Sequence, residues 1–247
     1  PHPAGALFSS VLMNIGFLGI FRFYEIISHT TIHGWSNNVM IISGLASVFV
    51  ATVYMLKVKN FKRLMAYSSV EHMGLVILGL AAGGIGAYAA ILHLVLHSFA
   101  KPALFLQFGQ LNRTFNSKNI YQMGGYFRLN PTGAIVLLLA FFTVTAMPPS
   151  GMFISEFLIF RSLFEARQLW LLVVVLLLLT FIIWAFGKNV FRILFTKPVA
   201  FDESKFVRIR PVESLSQFFL LFMVLWLGFN PPAFMIEMIQ TAVANLP

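Results

Sequence analysis

Residues 131–164 read PTGAIVLLLAFFTVTAMPPSGMFISEFLIFRSLF, and the five in the middle, Met147-Pro148-Pro149-Ser150-Gly151, decide how the stretch is read. Either flank is apolar enough for a membrane helix. Two prolines and a glycine cannot continue one, because proline lacks the N–H and clashes with the preceding turn, and glycine is entropically costly there. At 34 residues the stretch also exceeds the roughly 20 that cross a hydrocarbon core. The expectation is a broken helix, two half-helices joined by unwound backbone at mid-membrane. Such backbone is tolerated only where it is buried in protein or lines a cavity. Two separate helices joined by a surface loop are the alternative. Glu156 is the only acid in the stretch and falls one to two turns into its second half, a placement that suits proton exchange by a buried carboxyl.

The remainder of the chain has the same character. Of 247 residues, 59% are hydrophobic and 10% charged, against about 25% charged in soluble domains. Apolar runs at Gly5–Tyr24, Asn38–Lys57, Tyr67–Gly83, Ala87–Gln110, Leu169–Phe195 and Val212–Phe229 join Pro131–Phe164 to make about seven spans. In lipid all must be helices, since each backbone group needs a partner within its segment. The fold class is therefore an all-α, polytopic membrane protein. The mildly amphipathic tail Pro232–Pro247 is too short to span and is expected at the interface.

A net charge of +9 would point to nucleic acid in a soluble protein. Here thirteen of the seventeen basic residues fall at the ends of spans two, four and six or in the loops that follow them. Alternating spans put these positions on one side, so the bias reads as topology, with the N-terminus inside and the end of span seven outside. No nucleic-acid partner is expected; the bilayer is. The chain has no cysteine, which excludes disulfides and thiolate-held zinc or iron–sulfur clusters. No cofactor is expected in this chain.

Span four carries His93, His97 and Lys101 at i, i+4 and i+8, nearly one face of a helix over about 12 Å. A central lysine costs at least about 2.5–3.5 kcal/mol on insertion scales, so such residues usually face a bundle interior and mark ion or proton paths. Histidine exchanges protons near neutral pH. Two plainer readings stand beside this one: histidines hydrogen-bonded to backbone, or a metal on His93 and His97, which lack an obvious third ligand. Pro102 frees the carbonyl of Ser98, which suits water beside the stripe; a plain packing kink is an equal alternative. Span three opens with Ser68-Ser69-Val70-Glu71-His72. Either serine would cap a helix and Glu71 would favour its positive end, but that account leaves His72 unexplained; an inward polar path would include it.

Taken together, Ala66-Tyr67-Ser68-Ser69-Val70-Glu71-His72-Met73-Gly74, Leu92-His93-Leu94-Val95-Leu96-His97-Ser98-Phe99-Ala100-Lys101 and Met147-Pro148-Pro149 through Ser155-Glu156-Phe157 resemble the antiporter-like proton-translocating subunits shared by respiratory complex I, energy-converting hydrogenases and multi-subunit cation/proton antiporters. The Pro148-Pro149 to Phe157 stretch and the leucine-rich sixth span resemble the hydrogenase-4 component F branch in particular. The resemblance covers essentially the whole chain, and its motifs are specific jointly rather than singly. It implies inverted five-helix repeats, each with one broken helix, in a prokaryotic cytoplasmic membrane. Residues 1–36 would then hold the last helix of the first repeat and an outer loop. Residues 37–195 would be the second repeat, and 196–247 a basic inner loop, a final span and a tail. Most of the first repeat would be absent, so the chain reads as the C-terminal half of a subunit.

The resemblance further implies a polar chain through Glu71, His72, His93, His97, Lys101 and Glu156. Asn14 stands where many relatives carry a buried lysine, and asparagine holds no proton charge, which weakens a relay between the two halves. The implied partners are other antiporter-like membrane subunits and a peripheral redox arm linked to hydrogenase, NADH, ferredoxin or formate. The expected function is a proton half-channel in a redox-driven complex. The other readings are a sodium/proton antiporter subunit, a structural subunit with a vestigial channel, and a membrane enzyme using His93 and His97 on a metal.

Overall fold

The computed structural model describes residues 8–196 and 209–246. After a π-helical turn at Phe8–Leu12 come nine helices of more than ten residues in the described chain: α1 (Met13–Ser28), α2 (His33–Lys57), α3 (Phe61–Ala82), α4 (Ile85–Phe115), α5 (Pro131–Val144), α6 (Gly151–Glu165), α7 (Leu169–Phe195), α8 (Leu215–Phe229) and α9 (Ala233–Val243). Among the described residues the only β pairing is an isolated bridge between Asn60 and Asn119. Among the described residues six helical segments are long and apolar enough to cross a membrane, those beginning at Ser10, His33, Phe61, Ile85, Leu169 and Pro211. The seventh expected span is the pair α5 and α6, of 14 and 15 residues. Each is about 21–22 Å long at 1.5 Å per residue, short of the roughly 30 Å core. The chain is a multi-pass membrane protein.

Several boundaries move from their expected places. The second span starts at His33, not Asn38, so the expected outer loop shrinks to residues 29–32. Span three starts at Phe61, where the Asn60 side chain accepts from the backbone N–H of Lys62 and Arg63 at 3.0 and 3.4 Å. Ser68, Ser69 and Glu71 therefore lie two turns or more inside α3 and cap nothing. The basic loop after α7 falls largely outside the described residues, Lys197, Lys205 and Arg208 included.

α3 and α4 form the centre and are the most buried of the long apolar helices, whereas α1, α2, α7 and α8 turn large apolar side chains such as Phe23, Trp35, Trp170 and Phe222 outward. Small residues let the central helices approach. A Cβ on Gly74 of α3 would lie 2.8 Å from the Gly44 carbonyl of α2, a close crossing of the kind that packs helices in lipid. α4 runs unbroken through Pro102. Its far end is held by Tyr126, whose hydroxyl accepts from Gln107 at 2.8 Å and from Asn130 at 3.0 Å, while Asn130 caps α5 through the Gly133 N–H. The tail helix α9 packs on α4, and Asn245 beyond it reaches Glu25 of α1 at 3.5 Å.

The break between α5 and α6 spans residues 145–150. Thr145 returns its hydroxyl to the Phe141 carbonyl, Ala146 turns to φ +47°, and the Met147 N–H reaches back to Phe142. Pro148 and Pro149 lie within the break, and Ser150 caps α6 through the Phe153 N–H at 3.2 Å. Gly151, expected in the break, is instead the first residue of α6. A Cβ there would strike the Val224 carbonyl and Gly228 of α8, so its small size serves helix contact.

Candidate functional site

The expected polar residues converge from three elements. α3 supplies Ser68, Glu71 and His72; α4 supplies His93, His97 and Lys101; α6, just after the break, supplies Ser155 and Glu156. His72, His93, His97 and Lys101 are fully buried, and Glu71 and Glu156 are 2% and 6% exposed.

His72 is the hub. Its Nδ1 lies 3.1 Å from His93 Nε2, 3.6 Å from Glu71 Oε1 and 3.8 Å from Glu156 Oε1. The Val144 carbonyl at the end of α5 also faces this ring, outside strict hydrogen-bond geometry for Nε2. The His97 ring meets His72 edge-on at 5.2 Å between centroids, and both its nitrogens are buried without a hydrogen-bond partner among the described residues. On its far side, His93 Nδ1 lies 2.9 Å from Ser155 Oγ. Lys101 Nζ donates to Ser68 Oγ at 2.8 Å and to the Met65 carbonyl at 3.5 Å, and its strongest opposite charge is Glu71.

The geometry gives the polar chain its order. The α4 stripe does not run as a line from His93 through His97 and Lys101 to Glu156, because His72 from α3 stands at the junction. Lys101 and Glu156 both face the interior, but the side chains they meet differ: Ser68 for the lysine, His72 for the carboxylate. A cavity of about 170 Å³ beside the break is lined by Ser68, Glu71, Thr145, Glu156 and Thr180 among apolar side chains. Asn14 lies apart from the cluster: its Nδ2 donates to Ser98 Oγ at 2.7 Å, tying α1 to α4 one residue beyond His97.

His72, His93 and Glu156 place donor atoms within 4.8 Å of one another, a spacing that a metal ion can use; this is not the His93–His97 pair that the sequence offered. The 3.1 Å between His72 Nδ1 and His93 Nε2 is a hydrogen-bond length, so these two atoms share a proton, which an ion would have to displace. Ser68 and Ser155 were missed as site residues. Ser68 sits at i−3 and i−4 from Glu71 and His72 on one face of α3, so helical spacing held that signal; Ser155, directly before Glu156, carried none, since neighbours in a helix point to different faces.

Buried helices, one broken beside a cluster of acid, imidazole and ammonium groups, define an antiporter-like membrane subunit. The family described as "NADH:quinone oxidoreductase/Mrp antiporter, TM" matches residues 1–182, and the chain belongs to it. A hydrogenase-4 component F homolog from Methylacidiphilum infernorum is 32% identical over 170 residues, covering 68% of this chain and 36% of that protein. By fold the chain is similar to a chain of the Mrp complex from a Dietzia species (TM-score 0.85, 20% identity, 98% of this chain and 52% of that one). It is also similar to a chain of respiratory complex I from Thermus thermophilus (TM-score 0.83, 22% identity, 99% and 51%). The chain thus spans about a third of the first relative and about half of either solved neighbour.

Proposed function

We propose that this chain forms a proton-conducting half of an antiporter-like subunit in a redox-driven membrane complex. The observation that carries the reading is the contiguous buried cluster Glu71–His72–Glu156 with His93 behind it and Lys101 beside it. In a low-dielectric interior net charge is expensive. With Lys101 charged and both carboxyls ionised the cluster holds one negative charge too many, and a single proton shared by Glu156, His72 and His93 neutralises it. That proton is the cargo. The Lys101–Glu71 pair sets the field in which it moves, and a partner that shifts this pair shifts the proton.

The function needs partners: further antiporter-like membrane subunits and a peripheral redox arm that takes electrons from hydrogen, formate, ferredoxin or NADH. The membrane is the cytoplasmic membrane of a prokaryote, and loop charge orients α1 with its start inside. The likeness to the Mrp complex supports a second reading, cation/proton exchange without redox drive; co-purification of redox centres with the subunit separates the two. The function is tested by reconstituting the complete complex with Lys101→Met. Loss of electron-coupled proton translocation with assembly and electron transfer retained supports the proposal, and unchanged translocation makes this half a scaffold.

A further inference from the structure

We propose that Ser155 is a positioning residue whose hydroxyl decides which ring nitrogen of His93 carries the proton, and so sets the direction of proton transfer between His72 and His93. The inference rests on the proton-relay reading above. Ser155 is fully buried, and its hydroxyl has one proton and two neighbours. One is the Met152 carbonyl of its own helix at 2.9 Å, which can only accept. The other is His93 Nδ1, also at 2.9 Å. With the hydroxyl proton on Met152, Ser155 Oγ accepts from His93 Nδ1–H. A neutral imidazole protonated at Nδ1 carries its lone pair on Nε2, the atom 3.1 Å from His72 Nδ1.

His93 therefore faces His72 as an acceptor, and His72 Nδ1 holds the proton between them. The same Nδ1 is the nitrogen that faces both Glu71 and Glu156, so the acceptors around His72 converge on one N–H. When His72 becomes an imidazolium, that N–H bond breaks, an N–H bond forms at His93 Nε2, and the positive charge passes from one ring to the other. The opposite tautomer of His93 would present an N–H to His72 and block this step. Around this pair lie Glu71 on α3, His97 and Lys101 on α4, the Val144 carbonyl at the end of α5, and Glu156 on α6.

The test reads the tautomer directly. Histidine labelled with ¹⁵N in the assembled complex, with the His93 signal assigned by loss in His93→Gln, should show a neutral ring protonated at Nδ1. Ser155→Ala should mix or reverse the tautomer and lower proton translocation by roughly tenfold, the scale of one lost hydrogen bond, with electron transfer intact. Ser155→Thr, which keeps the hydroxyl, should restore both. A wild-type His93 protonated at Nε2, or a tautomer indifferent to Ser155→Ala, overturns the proposal. So does unchanged translocation in a Ser155→Ala variant whose tautomer has shifted. If Glu156→Gln then also leaves translocation unchanged, it is the relay reading that has failed.

Discussion

His72 brings three helices to one ring nitrogen, and it does so by contacts that no local spacing announces. Its partners are 21 residues away at His93 and 84 residues away at Glu156. The i, i+4, i+8 stripe on α4 was legible because helical period is a property of the sequence itself. The junction was not, because placing the start of α3 near Tyr67 made Glu71 look like a first-turn acid and left His72 without a role. Asn14 illustrates the same limit: the residue type ruled out a charge carrier, but only the fold shows that it binds Ser98. Because His72 meets His93 and both carboxylates, while His97 touches only the edge of its ring, the two histidines should differ under substitution. His72→Leu should lower the initial rate of proton translocation by at least the 10²-fold typical of a lost acid–base group. His97→Leu should cost less. Measuring both at matched electron-transfer rates checks this, and equal effects would remove His72 from the centre of the relay.

At the scale of elements, the seven spans were readable because a bilayer imposes its thickness on every helix that crosses it. The helix break was readable because Pro148 and Pro149 cannot join the hydrogen-bond ladder. Gly151 was misassigned to the break because a cluster of helix breakers does not say which member sits at a helix contact. Its place against α8 gives a sharp expectation. Gly151→Leu should push α6 from the Val224 carbonyl and Gly228 and destabilise the subunit by about 1–3 kcal/mol, the usual cost of overpacking. Gly151→Ala should do so less. Thermal unfolding of the detergent-solubilised complex measures both, and an unshifted midpoint in the leucine variant would show that α8 yields freely. The connection from α4 to α5 depends instead on Tyr126, where burial pushes the phenol up to about 12, so it stays neutral as the shared acceptor of Gln107 and Asn130. Tyr126→Phe leaves both amides short of a partner and should cost about 1–3 kcal/mol, read in the same unfolding assay.

For the whole molecule, loop charge and fold make a joint claim about sidedness. Lys118, between α4 and α5, and Arg167, between α6 and α7, belong to opposite faces if the spans alternate. The chain has no cysteine of its own, so Lys118→Cys and Arg167→Cys report cleanly. An impermeant thiol reagent applied to intact cells should label Arg167→Cys and spare Lys118→Cys; the reverse pattern would invert the orientation. The central claim, that a proton crosses through the buried cluster, is tested most directly by the number of protons translocated per electron in reconstituted vesicles carrying the full complex with Glu156→Gln. That substitution keeps the shape of the side chain and removes its proton exchange. The proton-to-electron ratio should fall by this half's contribution while electron transfer continues. A ratio equal to wild type, in an assembled and electron-transferring complex, would contradict it.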